Sequence, residues 1–179
     1  VKEYKIVVLG SMGAGKSTLV RAVAAGNIVD TDVANTDPDS DKRTTTVALD
    51  YADIALPGGD RLRLYGAPGQ TRFEFVWPTL LRGAAGVVLM VDATREPLDV
   101  EVERYLRVAR EAGDMPIVVG LSRLDLVDGD PQDVMARADA VIAGRVPLAP
   151  VDARSEEQVL MLMDVLVSEI ESAELMGYA

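Results

Sequence analysis

Gly10 to Ser17 read GSMGAGKS, and this stretch satisfies the pattern G-x-x-x-x-G-K-[ST] at every position. It follows a short β-rich run, Tyr4 to Leu9 (YKIVVL), and leads into a helical stretch from Lys16 to Ala25. Strand, glycine-rich loop and helix in that order are the context in which the pattern carries meaning. Glycines let the backbone turn tightly enough to aim successive N–H groups at phosphate oxygens, and the helix adds the positive end of its dipole. Gly10, Met12, Gly13, Ala14, Gly15 and Thr18 are thereby expected around bound phosphates. Lys16 is expected to reach the β- and γ-phosphates, and Ser17 to offer its hydroxyl oxygen to Mg²⁺.

Outward from the loop, the chain alternates between strand-like and helical segments. Asp30 to Lys42 is polar, with five aspartates, and reads as a long loop. Val47 to Leu56 and Arg61 to Tyr65 are strand-like and joined by the turn signal PGGD, which predicts an antiparallel hairpin. The apolar runs Gly86 to Asp92 and Pro116 to Leu121 are then separated by a helical stretch from Asp99 to Ala112. A helix from Pro131 to Ile142, a strand near Val146 to Pro150 and a helix capped at Ser155 complete the order. Near-continuous apolar strands suit a sheet covered on both faces. The expectation is an α/β fold with a six-stranded, mostly parallel sheet, one antiparallel hairpin strand, and helices on both faces, forming a single domain over residues 1–179.

Composition narrows the chemistry. The hydrophobic fraction of 49% is that of a folded globular protein, and the net charge of −11 argues against nucleic acid as a partner. The chain has no cysteine and no histidine, so thiol chemistry, a prenyl or palmitoyl membrane anchor on this chain and the commonest general base are excluded. No apolar run approaches the roughly 20 residues of a bilayer span, and a cytoplasmic location is expected.

Together, the phosphate loop, the polar segment before the hairpin and the segment GAPGQTRFEFVW (66–77) resemble the small GTPases that include Ras and the ADP-ribosylation factors. The resemblance covers essentially the whole chain. It implies a switch that binds GTP and GDP, uses Mg²⁺ and hydrolyses GTP. It makes Gly69 the glycine whose amide meets the γ-phosphate and Gln70 the residue that orients the attacking water. A Mg²⁺-binding threonine is expected among Thr44, Thr45 and Thr46, with Thr46 favoured by its place in TVALDY. Where the family usually carries Asn-Lys-x-Asp, this chain has Ser122, Arg123, Leu124 and Asp125. Asp125 retains the acceptors that match guanine N1–H and the exocyclic amine. Asp152, Ala153 and Arg154 match the late Ser-Ala-Lys motif, in which the amide of Ala153 would reach guanine O6.

Two departures bear on mechanism. Gly66 stands where Ras-type members carry the aspartate that holds Mg²⁺ through water, with Asp50 and Asp92 as the nearest substitutes. That change, with Pro68-Gly69-Gln70, is similar to bacterial GTPases related to the gliding-motility switch protein and to those paired with roadblock-type proteins. The resemblance implies a roadblock-type partner as activator or regulator. Met12 stands where Ras has glycine, which implies slow intrinsic hydrolysis. Arg43 and Arg72 are the candidates for an arginine finger supplied by the chain itself.

Phe73, Phe75 and Trp77 lie directly behind Gln70, and they include both phenylalanines and the only tryptophan. At least one is expected to pack the core and the others to show the nucleotide state to a partner. Two rival readings stand beside the switch. One is a GTP-binding scaffold with negligible hydrolysis, and the other is an ATP-using P-loop kinase.

Overall fold

The computed structural model describes residues 1–24, 31–34 and 46–177, with side chains from 1–24 and 49–177. Its strands are β1 (Glu3–Gly10), β2 (Thr31–Ala34), β3 (Thr46–Ala55), β4 (Arg61–Gly66), β5 (Gly86–Asp92), β6 (Ile117–Ser122) and β7 (Leu148–Pro150). The helices are α1 (Lys16–Val23), α2 (Trp77–Leu81), α3 (Leu98–Ala112), α4 (Pro131–Ile142) and α5 (Glu156–Met176). Short 3₁₀ turns cover Thr71–Val76 and Leu124–Leu126.

The sheet order is β2-β3-β4-β1-β5-β6-β7. β1 pairs in parallel with β4 and β5, and the parallel ladder continues through β6 to β7. Among the described strands, β3 runs antiparallel to both of its neighbours, β2 and β4. Six of these strands are those the sequence predicts. The seventh, β2, falls within the aspartate-rich segment read as a loop, where pairing to β3 supplies what local composition does not.

Strand alternation divides the core in two. Ile6 and Val8 point to the face covered by α1 and α5, where they meet Leu19, Val159, Leu162 and Leu166. Val7 and Leu9 point to the opposite face, beneath α2, α3 and α4. The sheet is therefore buried on both sides, which accounts for the unbroken apolar runs of β1, β5 and β6. β1 also marks where the strand order reverses, since β4 lies on one side of it and β5 on the other. In open α/β sheets, ligands bind beyond the carboxyl ends of strands at such a point, and Gly10 ends β1 there.

Candidate functional site

Beyond the end of β1 the chain turns through Gly13 and Gly15, whose φ values of 84° and 97° lie in the left-handed region. Gly15 is the N-cap of α1, so the loop delivers the amide end of that helix to its own concave side. Lys16 is 7% exposed and donates from Nζ to the carbonyl of Ser11 at 2.6 Å. Burial lowers its pKa from the ordinary 10.5 to about 8, with the Asp50 carboxylate opposing the fall. A desolvated cation at the mouth of a glycine loop is a strong receptor for an anion.

A cavity of about 460 Å³ opens around this lysine, lined by the loop, by Ser17, Thr18 and Asp50, and by Gly66 through Gln70. Asp50 lies on β3 directly opposite Gly66 on β4. Its Oδ2 accepts a hydrogen bond from the Ser17 hydroxyl, and its Oδ1 lies 3.6 Å from Arg21 Nη2. A Cβ added to Gly66 would sit 3.2 Å from the Asp50 Cβ. The carboxylate thus fills, from the neighbouring strand, the space a side chain at 66 would use. Asp92 is engaged elsewhere. Its Oδ1 accepts from the Thr94 amide at 2.9 Å and hydroxyl at 2.6 Å, and its Oδ2 lies 3.5 Å from Arg123 Nη1.

Gly69 closes the far wall. A Cβ there would lie 2.5 Å from Lys16 Nζ and 2.7 Å from the Met12 amide nitrogen, so only glycine permits this approach. Gln70 is exposed beside it, and Met12 is 60% exposed. Behind Gly69, the Trp77 indole N–H donates to the Pro68 carbonyl at 2.9 Å, while its ring packs against Tyr105 at a tilt of 47° with centroids 5.6 Å apart.

A second cavity of about 250 Å³ adjoins the first and shares Gly15, Thr18 and Arg123 with it. Its walls include Ser122, Asp125, Asp152, Ala153 and Arg154. Ser122 is buried and donates to the carbonyls of Ala14, at 2.8 Å, and Val91, at 3.2 Å. It therefore ties the end of β6 to the phosphate loop. Arg154 forms a fork on Asp152, with Nε to Oδ1 at 2.8 Å and Nη2 to Oδ2 at 2.9 Å. That contact holds the Asp152 carboxyl at about 2, below the usual carboxylate range.

A profile of the elongation factor Tu GTP-binding domain matches residues 2–172. The chain belongs to that family. Among similar proteins, translation initiation factor 2 subunit gamma of Halorubrum lacusprofundi is 28% identical over 206 residues, covering 96% of this chain and 47% of the relative. Ras-related protein RABA1f of Arabidopsis thaliana is 26% identical over 119 residues, covering 65% of this chain and 50% of the relative. The chain thus spans about half the length of these relatives. A solved bacterial selenocysteine-specific elongation factor, EF-Sec, superposes with a TM-score of 0.68 at 22% identity, covering 96% of this chain and 29% of that one. The fold is that of a P-loop GTPase.

Within that family frame, the described residues bring together most of the site read from sequence. Met12, Gly13, Gly15 to Thr18, Gly69 and Gln70 meet at the larger cavity, and Ala14, Ser122, Arg123, Asp125 and Asp152 to Arg154 at the smaller, whereas Gly10 ends β1 and lines neither. Arg43, Thr44 and Thr45 lie outside the described residues, as does the side chain of Thr46, whose backbone begins β3. Arg72 is exposed and lies over the Phe73 ring at 4.7 Å. Of the three aromatics, Trp77 is core at 3% exposure, Phe73 is half-buried and Phe75 is 48% exposed. No helix among the described residues is long and apolar enough to cross a membrane.

Two relations escaped the sequence. The pairing of Asp50 with Gly66 depends on hairpin register, and the contact of Arg154 with Asp125 joins residues 29 positions apart. Only the PGGD turn, which sets the register, signals the first.

Proposed function

We propose that residues 1–179 form one domain acting as a cytoplasmic molecular switch that binds GTP and GDP and hydrolyses GTP slowly. The observation that carries this reading is that the two cavities adjoin, with Gly15, Thr18 and Arg123 lining both. A cationic, amide-lined end thus adjoins an end bearing Asp125, which matches a polyphosphate joined to a purine.

Lys16 and the loop amides take the β- and γ-phosphates, and the Asp125 carboxylate accepts from guanine N1–H and the exocyclic amine, donors that adenine lacks. Gln70 orients a water whose oxygen bonds to the γ-phosphorus as the bond to the bridging oxygen breaks. Among the described residues no three His, Cys, Asp or Glu gather to hold a metal by themselves. A hard cation held jointly by nucleotide and protein oxygens fits what is present, because the Ser17 hydroxyl and Asp50 carboxylate adjoin in the phosphate cavity. Ser17, Asp50 and Thr46 are the residues that would hold Mg²⁺, which supplies charge neutralisation at the phosphates. Asp50 takes the part of the aspartate missing at Gly66.

Slow hydrolysis is supported by the Met12 side chain at the cavity mouth, which crowds the approach of water or of an incoming arginine. The chain's own finger candidates are Arg43 and Arg72. Phe75 is the exposed aromatic of the turn that follows Gln70, and a roadblock-type dimer, implied by the resemblance at Pro68-Gly69-Gln70, is the partner class that would read it.

The first test is to denature the purified protein and identify the nucleotide it releases, then to follow phosphate release from added GTP. GDP or GTP, with turnover lowered in Gln70→Leu, is expected. ATP or ADP would overturn the guanine reading, and bound GTP with no turnover under any condition would favour a scaffold.

A further inference from the structure

The base end of the site carries two linked departures from the Ser-Ala-Lys pattern, an acid at 152 and an arginine at 154. An acid at 152 places a second negative charge beside Asp125, where two carboxylates repel. Arg154 stands between them. Its fork on Asp152 fixes the plane of the guanidinium, and the same Nη2 lies 3.5 Å from Asp125 Oδ2. The fork is itself anchored, because the Arg154 amide donates to Asp152 Oδ1 at 2.9 Å and the Asp152 amide donates to Gln158 Oε1 at 2.8 Å. The amides on either side of Ala153 are thus both engaged, so the loop that carries Arg154 is held at its base.

On the opposite side, the residue preceding Arg123 is the short Ser122, whose hydroxyl is directed to Ala14 and Val91. None of its bonds reaches Asp125. We infer that Arg154, clamped by Asp152, is the positioning residue that orients the Asp125 carboxylate toward a guanine base, replacing support that Ser122 does not give. A carboxylate has about four lone-pair sites, so Asp125 can accept from Arg154 and still take the two donors on the guanine edge. This inference rests on the guanine reading above.

The consequence is specific to the second donor. A braced carboxylate presents both oxygens in the plane of the base, whereas a freely rotating one keeps a single good bond on average. The test measures dissociation constants of the full chain for GDP, for inosine diphosphate (IDP, which lacks the exocyclic amine) and for ADP. Arg154→Met is expected to weaken GDP about tenfold and IDP only about twofold, which narrows the GDP to IDP preference about fivefold. Arg154→Lys keeps the charge without the fork and should fall between Arg154→Met and the unmodified chain. Asp152→Asn combined with Arg154→Met should be no worse than Arg154→Met alone, because the two act as one unit. Arg154 is 70% exposed at its side chain, so these variants retain the fold. An unmodified chain that shows no preference for GDP over ADP overturns the guanine reading and this inference with it. An unmodified chain that prefers GDP, while Arg154→Met leaves GDP and IDP unchanged or weakens them equally, overturns this inference alone.

Discussion

Replacing Asp50 by Asn removes one negative charge from the phosphate cavity while keeping shape and an oxygen to accept from Ser17. A divalent cation and a carboxylate about 5 Å apart, across an effective dielectric of about 40 to 80, attract by about 2–3 kcal/mol. Mg²⁺ affinity in the presence of GDP should therefore fall by about 20-fold to a few hundredfold. The assay is release of a fluorescent GDP analogue as a function of free Mg²⁺, read as the concentration that half-protects against release. That midpoint should move upward in Asp50→Asn, while release without Mg²⁺ should change little.

The register of the hairpin allows a sharper form of the same experiment. Asp50 and Gly66 are cross-strand partners, and a side chain at 66 would find the Asp50 Cβ at 3.2 Å, its Oδ2 at 3.6 Å and Val20 Cγ2 at 3.5 Å. Gly66→Asp alone should therefore crowd two carboxylates and destabilise the hairpin. Asp50→Gly together with Gly66→Asp moves the acid to the other strand with the space already cleared, and should recover much of the Mg²⁺ midpoint that Asp50→Gly loses. A midpoint unmoved in Asp50→Asn, or a double variant no better than Asp50→Gly, would refute the assignment.

Four further outcomes follow from the same site. Lys16→Met should stabilise the nucleotide-free protein by about 1–2 kcal/mol while abolishing nucleotide binding, since burial of the charge costs about 3 kcal/mol and the bond to Ser11 offsets part of it; thermal melts of the nucleotide-free forms check this. The pH dependence has a definite sign: with its pKa at about 8 rather than 10.5, folded Lys16 releases its proton before the unfolded chain does, so wild-type stability should rise relative to Lys16→Met between those pH values. Gly69→Ala should drive the segment at 68–70 away from Lys16 and Met12, because its Cβ would stand 2.5 Å from the lysine nitrogen, and GTP hydrolysis should fall by at least about tenfold with GDP affinity largely kept. Emission from Trp77 should change when GDP is exchanged for a non-hydrolysable GTP analogue, since its indole N–H is bonded to the Pro68 carbonyl; identical spectra would show that Pro68 stays in place.

How much of this was legible in the sequence depends on how local the determinants are. The loop from Gly10 to Ser17 is a contiguous pattern, and its chemistry could be read before any fold was known. The buried strands were equally plain, because a run such as GVVLMVD has few other places to go. Asp50 is different. Nothing near it in sequence separates it from Asp92, and only the pairing of β3 with β4 brings it opposite Gly66. The aromatics behind Gln70 show the same limit. Their spacing raised the question of display, but the distinction between Trp77 in the core and Phe75 at the surface comes from the 3₁₀ turn preceding α2, which changes the face each one presents. β2 was missed because TDVA is too short and too polar to announce a strand without its partner.

The burial of Trp77 strengthens the switch reading. An exposed tryptophan would offer a partner an anchor but would carry no information about phosphate. A buried one, bonded to Pro68 and packed against Tyr105 of α3, joins the wall of the phosphate cavity to the helix behind it. The same turn is linked to α3 by the Glu74–Arg104 ion pair, and Phe75 lies exposed between these two attachments. Gly69 cannot move relative to Lys16 without altering the position of Pro68, and Pro68 cannot move without loosening the indole or taking it along. Packed cores tend to resolve such a choice into discrete arrangements rather than a continuous drift. In the proposed switch, Gly69 would be the residue that senses the phosphate, Trp77 would limit which arrangements are allowed, and Phe75 would be the side chain that shows the result.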